Sequence, residues 1–308
     1  MLTIFGSINI DQVIRVTSIP APGETVIGER VMNADGGKGA NQAVAAARVG
    51  AGEISVTMVG AVGDDAHGDA AFENFATNGV VSELMRSADC ATGTAFITLS
   101  DEGENAITVI PGANSCLSHI HLSAETMART SVLLCQGEVP FEESVRAMAA
   151  LREAREDATI LLNLAPVPTS CGVQIIKDAL NICDILIVNE LEAEAVVHLL
   201  EAGGLADLPV LAREHGCSVV ITQGPQGAEL IRPSGECAHT PSPRIDPVDT
   251  TGAGDTFCGV FAILLAEGWD TLAAITTACE AAAKACGAIG AQAAMPHRTQ
   301  LFKDHNPS

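Results

Sequence analysis

The sequence predicts an α/β protein: a three-layer α/β/α domain on a mostly parallel central sheet, with a small β-sheet lid standing off it. Three observations predict this. Strand-like apolar runs alternate with helical stretches along most of the chain, the pattern of right-handed β-α-β crossovers that leaves helices on both faces of a parallel sheet. Two pairs of strand-like segments interrupt that rhythm with no helix between them. The 308 residues are 47% hydrophobic, ample for a substantial core, yet they contain no run of about eighteen uncharged apolar residues that would span a membrane.

The strands of the main sheet are read at Leu2–Ile8, Ser55–Val59, Val132–Gln136, Thr159–Asn163, Ile185–Val188 and Val219–Thr222. Met1 leads straight into Leu2-Thr3-Ile4-Phe5 rather than into a basic, apolar signal peptide, so a soluble cytoplasmic protein is expected. Helices are read at Glu142–Glu156, Leu191–Glu201, Thr256–Glu267 and Thr271–Cys286. In sheets of this kind ligands bind beyond the carboxyl ends of the strands. Asn9, Asp11, Glu138, Asn163 and Asn189 all fall at such ends and are expected to converge on one crevice.

The exceptions to the rhythm are Val13–Ile19 with Glu24–Met32, bounded by Pro22-Gly23, and Thr94–Leu99 with Ala106–Ile110, bounded by Glu102-Gly103-Glu104-Asn105. Both read as hairpins. The expectation is one domain over residues 1–308, with lid segments at about 11–35 and 91–111 forming a flap that excludes water from a reaction below it. Exposed faces of such a flap invite dimerisation, so a homodimer through the lid is expected.

A formal net charge of −22 argues against nucleic-acid or anionic-membrane partners, which draw on basic patches. An anionic substrate would have to be held by local devices: helix N-termini, a divalent metal and a few placed cations. The four lysines are Lys38, Lys177, Lys284 and Lys303, and Lys38 lies inside a glycine loop. The ten cysteines are scattered in apolar surroundings without a Cys-x-x-Cys pair, which reads as reduced core thiols rather than disulfides or zinc ligands.

Two loops carry the chemistry. In Asp249-Thr250-Thr251-Gly252-Ala253-Gly254-Asp255-Thr256-Phe257, two glycines and a carboxylate sit where a loop becomes a helix, because Phe257, Val260, Phe261 and Leu264 recur at helical spacing. The N–H groups of a first helical turn lack helical partners and carry partial positive charge, a socket for phosphate. An Asp in that turn repels a resting anion but can take a proton from a hydroxyl attacking phosphorus. A Gly-Ala-Gly-Asp turn alone also starts many helices that hold no ligand. The second loop, Asp35-Gly36-Gly37-Lys38-Gly39-Ala40-Asn41-Gln42-Ala43, opens an alanine-rich helix ending at Gly50. It is neither a Walker loop nor a dinucleotide fingerprint.

Gly6-Ser7-Ile8-Asn9-Ile10-Asp11, the Gly36–Ala43 loop, Gly63-Asp64-Asp65, Pro111-Gly112-Ala113-Asn114, Asn189-Glu190-Leu191-Glu192 and Asp249–Phe257 together resemble the PfkB family of carbohydrate kinases. The resemblance runs from about Leu2 to Pro296, lies in the ordered set of motifs, and is strongest to the ribose-phosphorylating branch of the family. It implies ATP-dependent phosphorylation of the primary hydroxyl of D-ribose to ribose 5-phosphate. The alternatives are another small sugar, a ketose or furanose, or a nucleoside as acceptor, or a non-catalytic sugar- or nucleotide-binding protein. Retention of Asp255 and the Gly-Ala-Gly turn argues against the last.

The resemblance also implies roles. Asp255 corresponds to the catalytic base, and the amides of Gly252, Ala253 and Gly254 to the anion hole. Asn9, Asp11, Gly37, Lys38, Asn41 and Glu138 match sugar-holding positions. Asn189 and Glu192 match an Asn-x-x-Glu element that positions magnesium, in the case of Glu192 indirectly. Thr222, Gly224 and Gly227, with Gly254 and Cys279, match the ATP site. Asp249, Thr251, Ala285, Ala288 and Gly290 match the ligands of a monovalent cation, usually potassium. Ala294 stands where the pattern has a serine, and Asp35 where a neutral or apolar residue is usual.

Overall fold

A computed structural model describes residues 1–102, 104–169 and 171–302. Gly103 of the second predicted turn, and Lys303, lie outside the described residues. The strands, in chain order, are β1 (Leu2–Phe5), β2 (Asn9–Val16), β3 (Arg30–Gly36), β4 (Val56–Gly63), β5 (Val80–Ser87), β6 (Gly93–Ser100), β7 (Asn105–Ile110), β8 (Val132–Gln136), β9 (Thr159–Asn163), β10 (Ile185–Asn189), β11 (Ser218–Thr222), β12 (Ala228–Ile231) and β13 (Cys237–Thr240). Nine of them form one sheet in the order β13-β12-β11-β10-β9-β8-β1-β4-β5, and four form a second in the order β3-β2-β6-β7.

In the large sheet only the pairings of β12, with β11 and β13, are antiparallel. Its central strands are apolar on both faces, and alternation splits them between two cores. Leu2, Ile4, Leu134, Leu161, Ile187 and Val220 face the helices Lys38–Gly50, Ala253–Ala266 and Thr271–Ala285. Phe5, Leu133, Cys135, Leu162, Val188 and Val219 face Phe141–Ala154, Val173–Ile182, Glu190–Leu199 and Leu208–His215. These are the three layers that the β/α alternation predicts. The register aligns polar strand ends: Gln136 sits beside Asn163, and Asn189 beside Thr222.

Several boundaries differ from the sequence expectation. The first strand ends at Phe5, not Ile8, and the chain crosses at Gly6–Ile8 to begin β2 of the small sheet at Asn9. Residues 24–29, expected in a strand, lie outside one; β3 begins only at Arg30, and the preceding segment carries Pro20 and Pro22, which cannot donate to a ladder. The two predicted hairpins are one sheet because β2 and β6 pair in parallel. β5, interrupted by Ser82, Glu83 and Arg86, and the β12–β13 hairpin carry apolar runs too short or mixed to be read in advance. On the small sheet Val31, Ile107, Val109 and Ile110 are exposed. Among the described residues no helix is long and apolar enough to cross a membrane.

Candidate active site

Asp255 occupies the first turn of the helix Ala253–Ala266, which is capped by Gly252 at φ 75°. That left-handed conformation favours glycine. A Cβ there would also stand 2.8 Å from the Ala291 Cβ. The Ala253 N–H donates to the Thr250 carbonyl at 3.2 Å, so it is not free as the sequence reading supposed. The amides of Gly252 and Gly254 donate to no described residue, and Gly254 is exposed.

Although Asp255 is buried, both of its oxygens are hydrogen-bonded. Asn41 Nδ2 donates to Oδ2 at 2.9 Å, and Gln42 Nε2 to Oδ1 at 3.1 Å. These donors come from the first turn of Lys38–Gly50, which crosses the Asp255 helix at close quarters. The crossing depends on Gly259, where a Cβ would lie 2.3 Å from the Gln42 carbonyl oxygen. The donors are themselves held by amides. Gln136 Nε2 donates to Gln42 Oε1 at 2.7 Å, Gln42 Nε2 also reaches Asn163 Oδ1 at 3.0 Å, and Gln292 Nε2 donates to Asn41 Oδ1 at 3.0 Å. Asn74 extends the chain, donating to Gln292 Oε1 at 2.8 Å. In a buried setting such a connected network orients its members and is costly to break.

Asn9, Asp11, Lys38 and Glu138 are drawn to the same place. Ser7 Oγ and the Lys38 N–H both donate to Glu138 Oε2, at 2.6 and 3.0 Å. Asn114 Nδ2 donates to Asn9 Oδ1 at 2.8 Å and to the Ile8 carbonyl at 3.0 Å. Gly37, at φ 88°, turns the chain from β3 into the helix that carries Lys38 and Asn41. Burial, reinforced by the charges of Glu138, Asp255 and Asp35, pushes the Asp11 carboxyl up to about 6. Asp35 is half-buried and raised by desolvation, so it belongs to this acidic group. Lys38 answers it: the charges of Asp255, then of Glu138 and Glu192, raise its pKa against the cost of burial.

Two adjoining cavities open nearby, and Asp255 borders the smaller of them. The smaller, about 80 Å³, is bordered by Lys38, Asn163, Asn189, Glu192 and Asp255. The larger, about 510 Å³, is bordered by Thr222, Gly224, Gly227, Ala253, Gly254 and Cys279, all singled out by sequence. Thr222 and Gly254 border both. Asn189 and Glu192 form a reciprocal helix cap: Asn189 Oδ1 accepts from the Glu192 N–H, and Glu192 Oε2 from the Asn189 N–H, each at 2.8 Å. Glu192 Oε1 accepts from no described protein group. Burial raises this carboxyl above its ordinary value.

The Asp249–Gly290 region is a junction of two loops. Asp249 Oδ1 accepts from Thr251 N and Oγ1 at 2.9 and 2.6 Å, and Oδ2 accepts from the Gly290 N–H at 2.8 Å. Burial alone would push Asp249 up, but these bonds outweigh it and hold the carboxyl below the ordinary range. The Ala285 carbonyl accepts from the Ala288 N–H at 3.4 Å. Asp249, Thr251, Ala288 and Gly290 lie on these two loops, and Ala285 is the last residue of the helix Thr271–Ala285 that leads into the second.

Sequence reasoning missed Gln42, Gln136, Gln292 and Arg244. The last borders the larger cavity. Gln42 sits within a motif already singled out, but nothing local marks its partner. Of the cysteines, six are buried, while Cys90 and Cys171 are partly and Cys116 and Cys237 fully exposed, so the core-thiol reading holds for only part of the set.

Unpaired helix amides beside a buried, amide-clamped carboxylate, at the carboxyl edge of a parallel sheet, define an α/β enzyme built to hold an anion next to a base. The model of the pfkB family of carbohydrate kinases matches residues 1–298, and the chain belongs to that family. It is 38% identical over 304 residues to a ribokinase of Bacillus subtilis, covering 97% of each chain. It is similar in structure to a ribokinase of Thermotoga maritima, with a TM-score of 0.87, 32% identity and 97% of each chain covered. A ribokinase of Arabidopsis thaliana complexed with ribose and ATP matches with a TM-score of 0.84 and 27% identity, over 97% of this chain and 96% of that one.

Proposed function

We propose that this carbohydrate kinase transfers the γ-phosphoryl group of ATP to the primary hydroxyl of D-ribose, giving ribose 5-phosphate and ADP. The observation that carries the reading is the position of Asp255, hydrogen-bonded to the Gly36–Ala43 loop through Asn41 and bordering the smaller cavity together with Lys38. ATP lies in the larger cavity, with Thr222, Gly224, Gly227 and Cys279 around the nucleoside and Gly254 towards the phosphates. The sugar is held by Asn9, Asp11, Gly37, Lys38, Asn41 and Glu138, whose amides and carboxylates pair with hydroxyls that are costly to leave unpaired. The Asp255 carboxylate takes the proton of the attacking hydroxyl as its oxygen bonds to the terminal phosphorus and the bond to ADP breaks. The Gly252 and Gly254 amides, with a weaker contribution from the already engaged Ala253, stabilise charge on the transferred group.

The donor set suits magnesium. Magnesium keeps its waters and binds through phosphates and one or two carboxylates, and Glu192 Oε1, which accepts from no described protein group, is such a carboxylate oxygen. Glu192, steadied by Asn189, would act on it through water. Oxygens of Asp249, Thr251, Ala285, Ala288 and Gly290 form a hard, low-charge set suited to potassium, which would lend electrostatic support to the Gly252–Asp255 turn. The exposed apolar residues of the small sheet support a homodimer through the lid, and the free thiols a cytoplasmic setting.

The test is ADP release with ribose, fructose, 2-deoxyribose, adenosine and inosine, with magnesium and with potassium or sodium. Ribose-dependent turnover stimulated by potassium is expected. Preferred turnover of another acceptor overturns the assignment of ribose, and sugar binding without phosphorylation of any acceptor overturns the kinase reading.

A further inference from the structure

The feature that phosphoryl transfer leaves unused is a pair of thiols at the root of the lid. Cys90 precedes β6 and Cys116 closes the short 3-10 turn Gly112–Cys116 that follows β7. Their sulfurs are 3.4 Å apart although the residues are separated by 26 positions. Cys90 is partly exposed and Cys116 exposed, so both are open to small reagents. The two backbone segments are already joined beside them, since the Ala113 N–H donates to the Ala91 carbonyl at 2.8 Å. Next to them Thr92 is clamped by Asp65, its N–H and hydroxyl donating to the carboxylate at 2.8 and 2.7 Å.

We propose that Cys90 and Cys116 are a dithiol modification site, oxidised to an intramolecular disulfide by low-molecular-weight disulfides such as glutathione disulfide, and that the bond slows the kinase by tying the feet of the β6–β7 hairpin together. A disulfide needs its sulfurs at about 2.0 Å, a further approach of a little over 1 Å that side-chain rotation supplies when the backbones are already paired. Exchange runs in two steps. The thiolate of the more exposed Cys116 attacks one sulfur of the reagent and expels one glutathione thiolate. Cys90, after losing its proton to solvent, then attacks the Cys116 sulfur of the mixed disulfide and expels the second, so two glutathione molecules leave for one reagent consumed. The contact with Cys116 raises the Cys90 thiol, which fits Cys116 reacting first.

The consequence for catalysis follows from what lies between the cysteines. The closed loop contains all of β6 and β7 and also Asn114, whose side chain holds Asn9 Oδ1 and both backbone groups of Ile8. A tie at this point restrains the hairpin exactly where it must hinge if it opens and closes over the sugar, and it restrains the residue that orients Asn9. The effect on turnover rests on the kinase reading, but formation of the bond does not.

The experiment equilibrates the full chain with glutathione and glutathione disulfide at graded ratios, then counts thiols and maps peptides by mass spectrometry. The expected result is loss of two thiols and two hydrogens of mass, with one cross-linked peptide pair joining Cys90 and Cys116, while Cys116→Ser gives none. Turnover of the oxidised wild type should fall several-fold, return with dithiothreitol, and stay unchanged in Cys116→Ser under the same oxidation. Failure to form the bond at strongly oxidising ratios, or separate glutathione adducts on the two cysteines, overturns the site. A disulfide that forms with unaltered turnover overturns its effect on the lid. A protein that forms the bond but phosphorylates nothing counts against the kinase reading instead.

Discussion

The two cavities that meet at Gly254 and Thr222 are built in contrasting ways. The larger is bordered by Pro225, Pro243, Pro247, Ile245, Phe257 and Cys279, with Arg244 and Asp246 its charged residues. The smaller is bordered by Lys38, Asn163, Asn189, Glu192 and Asp255. The first offers apolar surface to a flat ring and tolerates imprecision, because dispersion and hydrophobic contact vary gently with position. The second offers fixed charges and dipoles, whose value depends on their being held in place before reaction. The amide network around Asp255 is the means of holding them, and among the described residues no such network borders the larger cavity. On the proposed function, the contrast is between a part that binds and a part that reacts.

The largest expected effect is at Asp255. Asp255→Asn keeps the shape of the smaller cavity but removes the proton acceptor, and should lower kcat by about 10²–10⁴-fold. Calorimetry should show sugar affinity within a few-fold of the wild type. Loss of sugar binding with unchanged residual turnover would contradict the division of labour.

Gln42→Leu tests the network rather than the base. The variant frees one oxygen of Asp255 and removes the Gln42 partner of Gln136 Nε2 and of Asn163 Oδ1, which should cost about 1–3 kcal/mol of stability. It should lower kcat by roughly tenfold with less change in KM, because the carboxylate loses one of the two donors that fix its orientation. A purely structural role would lower stability and leave kcat and KM unchanged at temperatures where the variant is folded.

The larger cavity should respond differently. Cys279→Trp fills space in the cavity proposed for the nucleoside, and a rise in KM for ATP of about tenfold, equivalent to about 1.4 kcal/mol, is expected with kcat changed by no more than about twofold. A kcat effect as large as that of Gln42→Leu would show that the two cavities are not separable.

The smallest effect concerns Asp11, which shares its surroundings with the carboxylates of Glu138, Asp255 and Asp35. Burial, with help from Glu138, Asp255 and Asp35, raises its pKa from 3.8 to about 6, so folding favours its protonated form. That contribution to stability is fully present below the ordinary value and is lost as the pH rises through about 6. Asp11→Asn should therefore flatten the decline in urea midpoint of the ligand-free protein between about pH 4 and pH 6. A decline as steep as in the wild type would assign it to another group.

Much of this was legible in the chain. The β/α alternation pointed to the layered parallel sheet, and polar residues at strand ends pointed to the crevice, because period and polarity are local properties. The glycine turn before Phe257 announced a helix start bearing Asp255 for the same reason. The lid was read as two hairpins, since the parallel β2–β6 pairing that unites them is a long-range choice. Free amides at Gly252, Ala253 and Gly254 were expected alike, yet a turn bond from Ala253 to Thr250 distinguishes them.

By itself, then, the sequence determined most strands of the central sheet, the helix N-terminus that carries Asp255, and the acidic, glycine-rich character of the loops, since all of these rest on neighbours within about a turn of chain. Only the tertiary structure decided that Gln42, Gln136, Asn163 and Gln292 share one network around that carboxylate, that Cys90 and Cys116 touch, and that the polar and apolar cavities adjoin. A hydrogen bond between residues 213 positions apart depends on how two helices cross, and that crossing is set by packing around Gly259 rather than by any local pattern.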